Sequence, residues 1–219
     1  MMSVPCLFAV DGVVLINQST VTAAGGFPYK ITQPGSYRLS GNLTVPDANT
    51  TAISIRTTGV TLDLNGFSII GPISCSFNTF VIPPVTSCPA YGTGNGVDDT
   101  ACPNCTFNGN RVINGTVQGM GSTGIFLHGG IVKDVIVQQN ALNGILMFNG
   151  LVTNSQAFVN GDIGILVSGG VLSGNTSFGN FGYGIACDAS TAIGNTARFN
   201  FRNLEVYTGG CTAVNNTAP

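Results

Sequence analysis

The chain has 219 residues, of which 43% are hydrophobic and only 7% charged, against about 25% charged in an ordinary globular domain. A net charge of −2 offers no basic field for phosphates, which argues against a nucleic-acid partner, and the apolar share is large enough for a core, which argues against a disordered tail. The sequence holds no run of about 18 apolar residues, so no membrane span is expected.

The first ten residues, MMSVPCLFAV, form a brief apolar stretch without a basic leader. A secretory signal is therefore expected to be absent or present only as a stub. Val13-Val14-Leu15-Ile16, Tyr29-Lys30-Ile31 and Tyr37-Arg38-Leu39 read as strands separated by Gly25-Gly26 and Pro34-Gly35. We take 1–50 as N-terminal cap strands and a first coil. In Ala52-Ile53-Ser54-Ile55 and in Val60 to Phe67, inside and outside positions alternate with the period of a pleated strand, and we read 51–219 as the wound body. Between 71 and 110 the pattern gives way to Pro, Ser, Gly and Cys, which predicts one long irregular excursion.

From Arg111 onward a 20-residue echo takes over. Gly124-Ile125, Gly144-Ile145, Gly164-Ile165 and Gly184-Ile185 recur, with a degenerate copy at Asn203-Leu204, and a second comb runs through Asn140, Asn160, Asn180 and Asn200. A fixed period of this length, rich in β-branched residues, Gly and Asn and without a helical stripe, predicts a coiled β-solenoid. Stacking the repeats gives inward columns: Ile125, Ile145, Ile165, Ile185 and Leu204; Leu127, Met147, Val167, Cys187 and Val206; Val132, Val152, Leu172 and Ala192; Val137, Ala157, Ser177 and Ala197. Each member is expected about 4.8 Å from the next along the axis. Asn140, Asn160, Asn180 and Asn200 are expected as a structural amide ladder at a sharp bend, with the Asn backbone itself left-handed. Asn175, Asn195 and Asn215 are expected to form a shorter ladder. The comb glycines are expected to supply turn geometry, and Cys187 to be a buried, inert thiol.

The coils Gly164 to Asn180 (GILVSGGVLSGNTSFGN) and Gly184 to Asn200 (GIACDASTAIGNTARFN) resemble right-handed parallel β-helix repeats of the pectin-lyase-like superfamily. The stretch ITQPGSYRLSGNLTV followed by GVTLDLNGFSIIG resembles the opening of bacterial secreted β-helix repeat proteins of unassigned activity. The resemblance covers nearly the whole chain outside 71–110. It implies an all-β, single-stranded right-handed parallel β-helix. It implies no single activity, because the superfamily hosts lyases, hydrolases, epimerases, phage tailspikes, adhesins and non-catalytic members.

A lyase acting on acidic polysaccharide needs several carboxylates for calcium plus an Arg or Lys base, and a hydrolase needs paired carboxylates. In the regular coils the columns keep the charges apart. Asp134 lies between Asn114 and Asn154, Asp162 lies between Leu142 and Gly182, and Asp188 is three coils, roughly 14 Å, from His128. Gly96-Val97-Asp98-Asp99 and His128-Gly129 are similar to the Asp-Asp and His-Gly elements of pectin-type glycoside hydrolases, but no Asn-Thr-Asp precedes and no Arg-Ile-Lys follows. Asp98, Asp99, Arg111 and His128 are therefore the candidate catalytic residues. The structural alternative makes Asp98 and Asp99 a solvated pair and His128 a turn residue.

Four of the seven cysteines, Cys75, Cys88, Cys102 and Cys105, fall inside the excursion. Two disulfides, most simply Cys75–Cys88 and Cys102–Cys105, fit a loop with no core of its own. The alternative is a four-thiolate zinc knob, but only one Cys-x-x-Cys pair is present where structural zinc sites normally use two. Disulfides imply an oxidising compartment, so the chain is expected to be secreted, extracellular or periplasmic. No metal or cofactor is expected; calcium and zinc stand only as unsupported alternatives. The chain stops in repeat register without a capping helix, which predicts either a truncated chain or a homo-oligomer joined through the C-terminal end or a side face. The functional expectation is a non-catalytic extracellular β-helix module that binds glycan or serves in structure or surface interaction. The alternatives are a polysaccharide lyase or glycoside hydrolase with its site at the excursion, and a tailspike-like or adhesive assembly module.

Overall fold

The comb of the sequence is a hydrogen-bonding register in space. Ile125, Ile145, Ile165, Ile185 and Leu204 are successive partners in one parallel sheet. The computed structural model describes residues 12–78, 85–89, 91–102, 109–206 and 209–218. They wind into a parallel β-solenoid of about nine turns with about 20 residues per turn. A regular coil carries three short strands, as in Ile145–Phe148, Gly150–Thr153 and Gln156–Phe158. The first strand of each coil builds an eight-stranded sheet and the other two build a 14-stranded sheet.

Alternation sends every second side chain into the space between the sheets. Ile125, Ile145, Ile165, Ile185, Val132, Val152 and Leu172 are fully buried there. Val206, expected inward, is 46% exposed, because its strand Arg202–Val206 lies at the end of the eight-stranded sheet with no further described coil over it.

At the other end Val13–Ile16 pairs with Gly35–Leu39, which pairs with Val60–Asp63, so the sheet runs without a break across residue 50. A six-residue helix, Gln18–Ala23, interrupts the expected strands there. Its start is set by reciprocal capping. Asn17 Oδ1 accepts from Thr20 N at 3.0 Å and Thr20 Oγ1 accepts from Asn17 N at 2.8 Å. Val21 anchors the helix in the core.

The stretch 71–110 is not one uninterrupted loop. Val97–Asp98 is a strand of the eight-stranded sheet, with Val97 partnered by Ile53 on one side and Ile125 on the other. Before it, Ser76–Asn78 pairs antiparallel with Val85–Ser87 in a hairpin stapled by Cys75–Cys88. This disulfide engages both thiolates and so overturns the zinc alternative. The other expected pair, Cys102–Cys105, has a member outside the described residues.

Four local expectations are corrected. Cys187 is not a free thiol. It crosses the interior of the last coil to a disulfide with Cys211. The ladder asparagines are not left-handed either; the residue before each one is, at Gln139, Val159, Gly179 and Phe199. That twist turns the Asn side chain into the interior, where Asn140, Asn160 and Asn180 are buried. The shorter ladder runs through Asn216, whose Oδ1 accepts from Asn195 N and Nδ2 at 2.9 Å, while Asn215 takes the left-handed position before it. Finally, none of the comb glycines Gly124, Gly144, Gly164 and Gly184 has a positive φ. They are needed for close approach: a Cβ on Gly144 would sit 2.5 Å from the Gly164 carbonyl oxygen and 2.9 Å from Asn160 Nδ2. The two combs are thus one device, since the glycine makes room for the ladder.

Candidate functional site

The outer face of the eight-stranded sheet changes character along the axis. One outward column reads Lys30, Ser54, Asp98, Phe126, Leu146 and Leu166 from strand to strand. Beside it His128 and Phe148 stand next to each other, followed by Ser168 and Asp188. The face is therefore charged over the early coils and aromatic over the next two.

Three of the four candidate residues meet here. Asp99 is fully buried, and its two carboxylate oxygens accept the His128 backbone N–H at 3.0 and 3.1 Å. Its Oδ1 also lies 2.9 Å from His128 Nδ1. The Asp99 carboxyl thus faces both the backbone N–H and the ring Nδ1 of His128. The His128 side chain is 33% exposed. Its ring stacks on Phe126 at 5.0 Å between centroids and on Phe148 at 5.5 Å. Asp98 points to the same outer face yet is only 6% exposed, because Asn95 Nδ2 donates to it at 3.0 Å and Thr100 Oγ1 at 3.3 Å. A solvated pair at a loop edge is thus replaced by two buried carboxylates with separate partners. Arg111 does not join them. It begins the strand Arg111–Gln118 of the other sheet, between Thr61 and Ile131, and is exposed.

Sequence reasoning missed four neighbours of this site. Arg56, exposed at the end of the strand Ile53–Ile55, donates from Nε to Ser54 Oγ at 3.4 Å and brings a cation to the column of Asp98. Lys30 lies two strands from Asp98 on the same column. Phe126 and Phe148 supply the stacking surface. The usable signal was Gly96-Val97, a displaced copy of the Gly-Ile comb, which sets Asp98 beside Phe126 once it is aligned. Among the described residues no group of three His, Cys, Asp or Glu converges in a way that could hold a metal ion.

Chemically, the arrangement combines an apolar stacked platform, an imidazole held by a buried carboxylate, a second carboxylate and two cations on one outer face. Fold and site together describe a parallel β-helix with a polar and aromatic face on its eight-stranded sheet. Among solved structures it is similar to the A-module of the Azotobacter vinelandii mannuronan C-5 epimerase AlgE4, with 16% identity, a TM-score of 0.55, and coverage of 84% of this chain and 51% of that one. It is similar also to the Agl-KA catalytic domain, with 17% identity, a TM-score of 0.55, and coverage of 94% of this chain and 38% of that one. The chain therefore spans about half or less of the length of either structure, and at these identities the likeness concerns the fold. No family model matches the sequence, and no curated protein matches it. The disulfides Cys75–Cys88 and Cys187–Cys211 point to an oxidising, extracellular environment, and no helix among the described residues is long and apolar enough to cross a membrane.

Proposed function

We propose that this chain is a secreted β-helix module that binds polysaccharide along the outer face of its eight-stranded sheet. The observation that carries the reading is the stack of Phe126, His128 and Phe148, with the His128 ring fixed by Asp99. Sugar rings present apolar C–H faces that rest on aromatic rings, and their hydroxyls need fixed polar partners, which Asp98, Lys30 and Arg56 supply beside the platform. A glycan array followed by calorimetry on the best ligand tests it. Phe148→Ala, in a side chain already partly exposed, is expected to weaken binding about tenfold or more while the fold persists. Unchanged affinity in Phe148→Ala and in Phe126→Ala would overturn the platform.

One observation favours a second reading, in which the bound polysaccharide is also turned over. A buried carboxylate that fixes an exposed imidazole is the arrangement of a positioned general acid or base, and both similar structures bear the names of enzymes. Incubation with uronate polymers, followed by assays for unsaturated products, new reducing ends and C-5 inversion, is the test. On this reading Asp99→Asn lowers turnover with little change in binding; the absence of turnover on every polymer that binds returns the chain to the non-catalytic reading. Self-association belongs to the same proposal, through Phe201 and Val206, which the terminal coil leaves exposed; a monomer by light scattering across a wide concentration range removes it.

A further inference from the structure

A second recess lies away from the aromatic platform, at the bend that leads into the eight-stranded sheet. The hairpin Ser76–Asn78/Val85–Ser87 is laid across this bend over several coils. Gln139 Nε2 donates to the Cys75 carbonyl at 3.4 Å, Phe77 packs edge-on against Phe178 at 5.2 Å, and Thr86 Oγ1 donates to the Gly179 carbonyl. Cys75 Sγ sits 3.8 Å from the Asn140 carbonyl oxygen. The hairpin is therefore a fixed wall, and between it and the bends of the coils is a cleft of about 530 Å³, within the usual range of ligand sites.

The lining combines aromatic, apolar and acidic groups. Tyr91 and Phe181, 71% and 56% exposed, both border the cleft, and Leu142 and Pro89 extend its apolar part. The charged group in it is Asp162, and none of the described lining residues is Lys, Arg or His. Gly182 follows Phe181 one coil on, and the Asp162 carboxylate lies in the space where a side chain at Gly182 would stand. The carboxylate is thus held along the bend, beside an aromatic side chain. Burial raises its pKa above the ordinary Asp value, the sign of an anion short of solvation. Aromatic ring faces are themselves electron-rich, so a cleft lined by a carboxylate and two aromatic side chains favours a cation with apolar surface.

We propose that this cleft binds an ammonium-bearing sugar ring, such as a glucosamine unit, with the ammonium on Asp162 and the ring against Tyr91 and Phe181. The site is independent of the Phe126–His128–Phe148 platform, and its ligand differs by carrying a positive charge. A neutral or N-acetylated sugar satisfies the aromatic walls but leaves the carboxylate without its counter-charge.

Titration calorimetry of the full chain with glucosamine trisaccharide and with its N-acetylated counterpart tests the proposal. The amine form is expected to bind about tenfold more tightly, the difference being lost in Asp162→Asn. Tyr91→Ala and Phe181→Ala, both in exposed side chains, are expected to weaken the amine form by several-fold. The preference for the amine form is expected to persist in Phe148→Ala, whatever that change does to binding at the platform, which separates this site from the platform. Equal affinity for the two trisaccharides, or an undiminished preference in Asp162→Asn, overturns the proposal, whatever the platform variants do.

Discussion

Asn160→Leu replaces a ladder rung by an apolar side chain of similar size, which keeps water out of the vacated place. Asn160 Oδ1 accepts from Asn140 N at 3.1 Å and Asn140 Nδ2 at 3.0 Å, and its own Nδ2 donates to Asn180 Oδ1 at 2.9 Å and to the Val137 carbonyl at 3.3 Å. Asn180 Oδ1 keeps the Asn160 backbone N–H at 2.9 Å. The substitution therefore strands the Asn140 backbone N–H and leaves the Asn140 amide only its long donation to the Val117 carbonyl at 3.5 Å, both in a fully buried residue. At about 1–3 kcal/mol for an unsatisfied buried group, the backbone N–H alone costs that much and the weakened amide bond adds to it, a large part of a domain stability of roughly 5–15 kcal/mol. Asn200→Leu is the internal control. Asn180 Nδ2 also donates to Ser177 Oγ at 2.8 Å and to the Ala157 carbonyl at 3.2 Å, so that change strands one donor, near the more exposed end of the ladder. Urea unfolding followed by circular dichroism should place Asn160→Leu further below the parent than Asn200→Leu, because the amide left behind keeps one long bond in the first and two short ones in the second. Equal losses, or a loss at Asn160 under about 1 kcal/mol, would show that the ladder is not a structural spine.

Gly144→Ala should lose on the order of 2–3 kcal/mol by the same assay, because a methyl there meets backbone and packed atoms, whereas Gly109→Ala, with nothing within 4 Å, should stay within about 0.5 kcal/mol. Reducing Cys187–Cys211, or changing both to Ser, removes a closure over 24 residues, worth about 3–4 kcal/mol in chain entropy. Hydrogen exchange should then rise in Arg202–Val206 and Cys211–Val214 and stay unchanged near Asn160, since coils contact only their neighbours; a uniform rise contradicts this. For Asp162 the folded-state pKa lies above the unfolded one, so the folded state holds the proton more tightly and stability is lost as pH rises from the ordinary Asp range through the raised value. Asp162→Asn should accordingly raise Tm at about pH 7 and leave it little changed at about pH 3; the opposite pattern refutes the burial account.

The regular coils were readable because their inward positions repeat at constant spacing, and the Cys75–Cys88 pair because a coreless loop needs a staple. The candidate site was only half readable. Val97 aligns with Ile125 although 28 positions separate them, so a 20-residue comb passes over it and leaves Asp98 and Asp99 in an apparent loop. Once Val97 is placed, Phe126 and Ser54 flank Asp98 automatically. Asn216 escaped for a similar reason: the rung from Asn195 spans 21 residues, and a strict period lands on Asn215. Cys187–Cys211 was unreadable from columns, since the two residues belong to different sheets, with Cys187 beside Val206 and Cys211 beside Ser190. Their sulfurs meet only because the bond crosses the interior rather than following the stack.

The same geometry explains where polar chemistry can gather. In a solenoid each outward column repeats along the axis, and like charges on adjacent strands repel, which fits a chain with only 7% charged residues. A cluster of unlike groups must then form where a coil departs from the repeat. Asp98, Asp99 and Thr100 lie at such a departure, and the regular coils beside them contribute Phe126, His128 and Phe148. The Asp162 cleft is built in the same way, with its wall from the hairpin and its floor from the bends at Leu142, Asp162 and Phe181. In both places the insertion supplies what the repeat cannot: polar partners in the first, an enclosing wall in the second. The repeat in turn supplies apolar surfaces at fixed spacing, so each site depends on the contact between the two and not on either part alone.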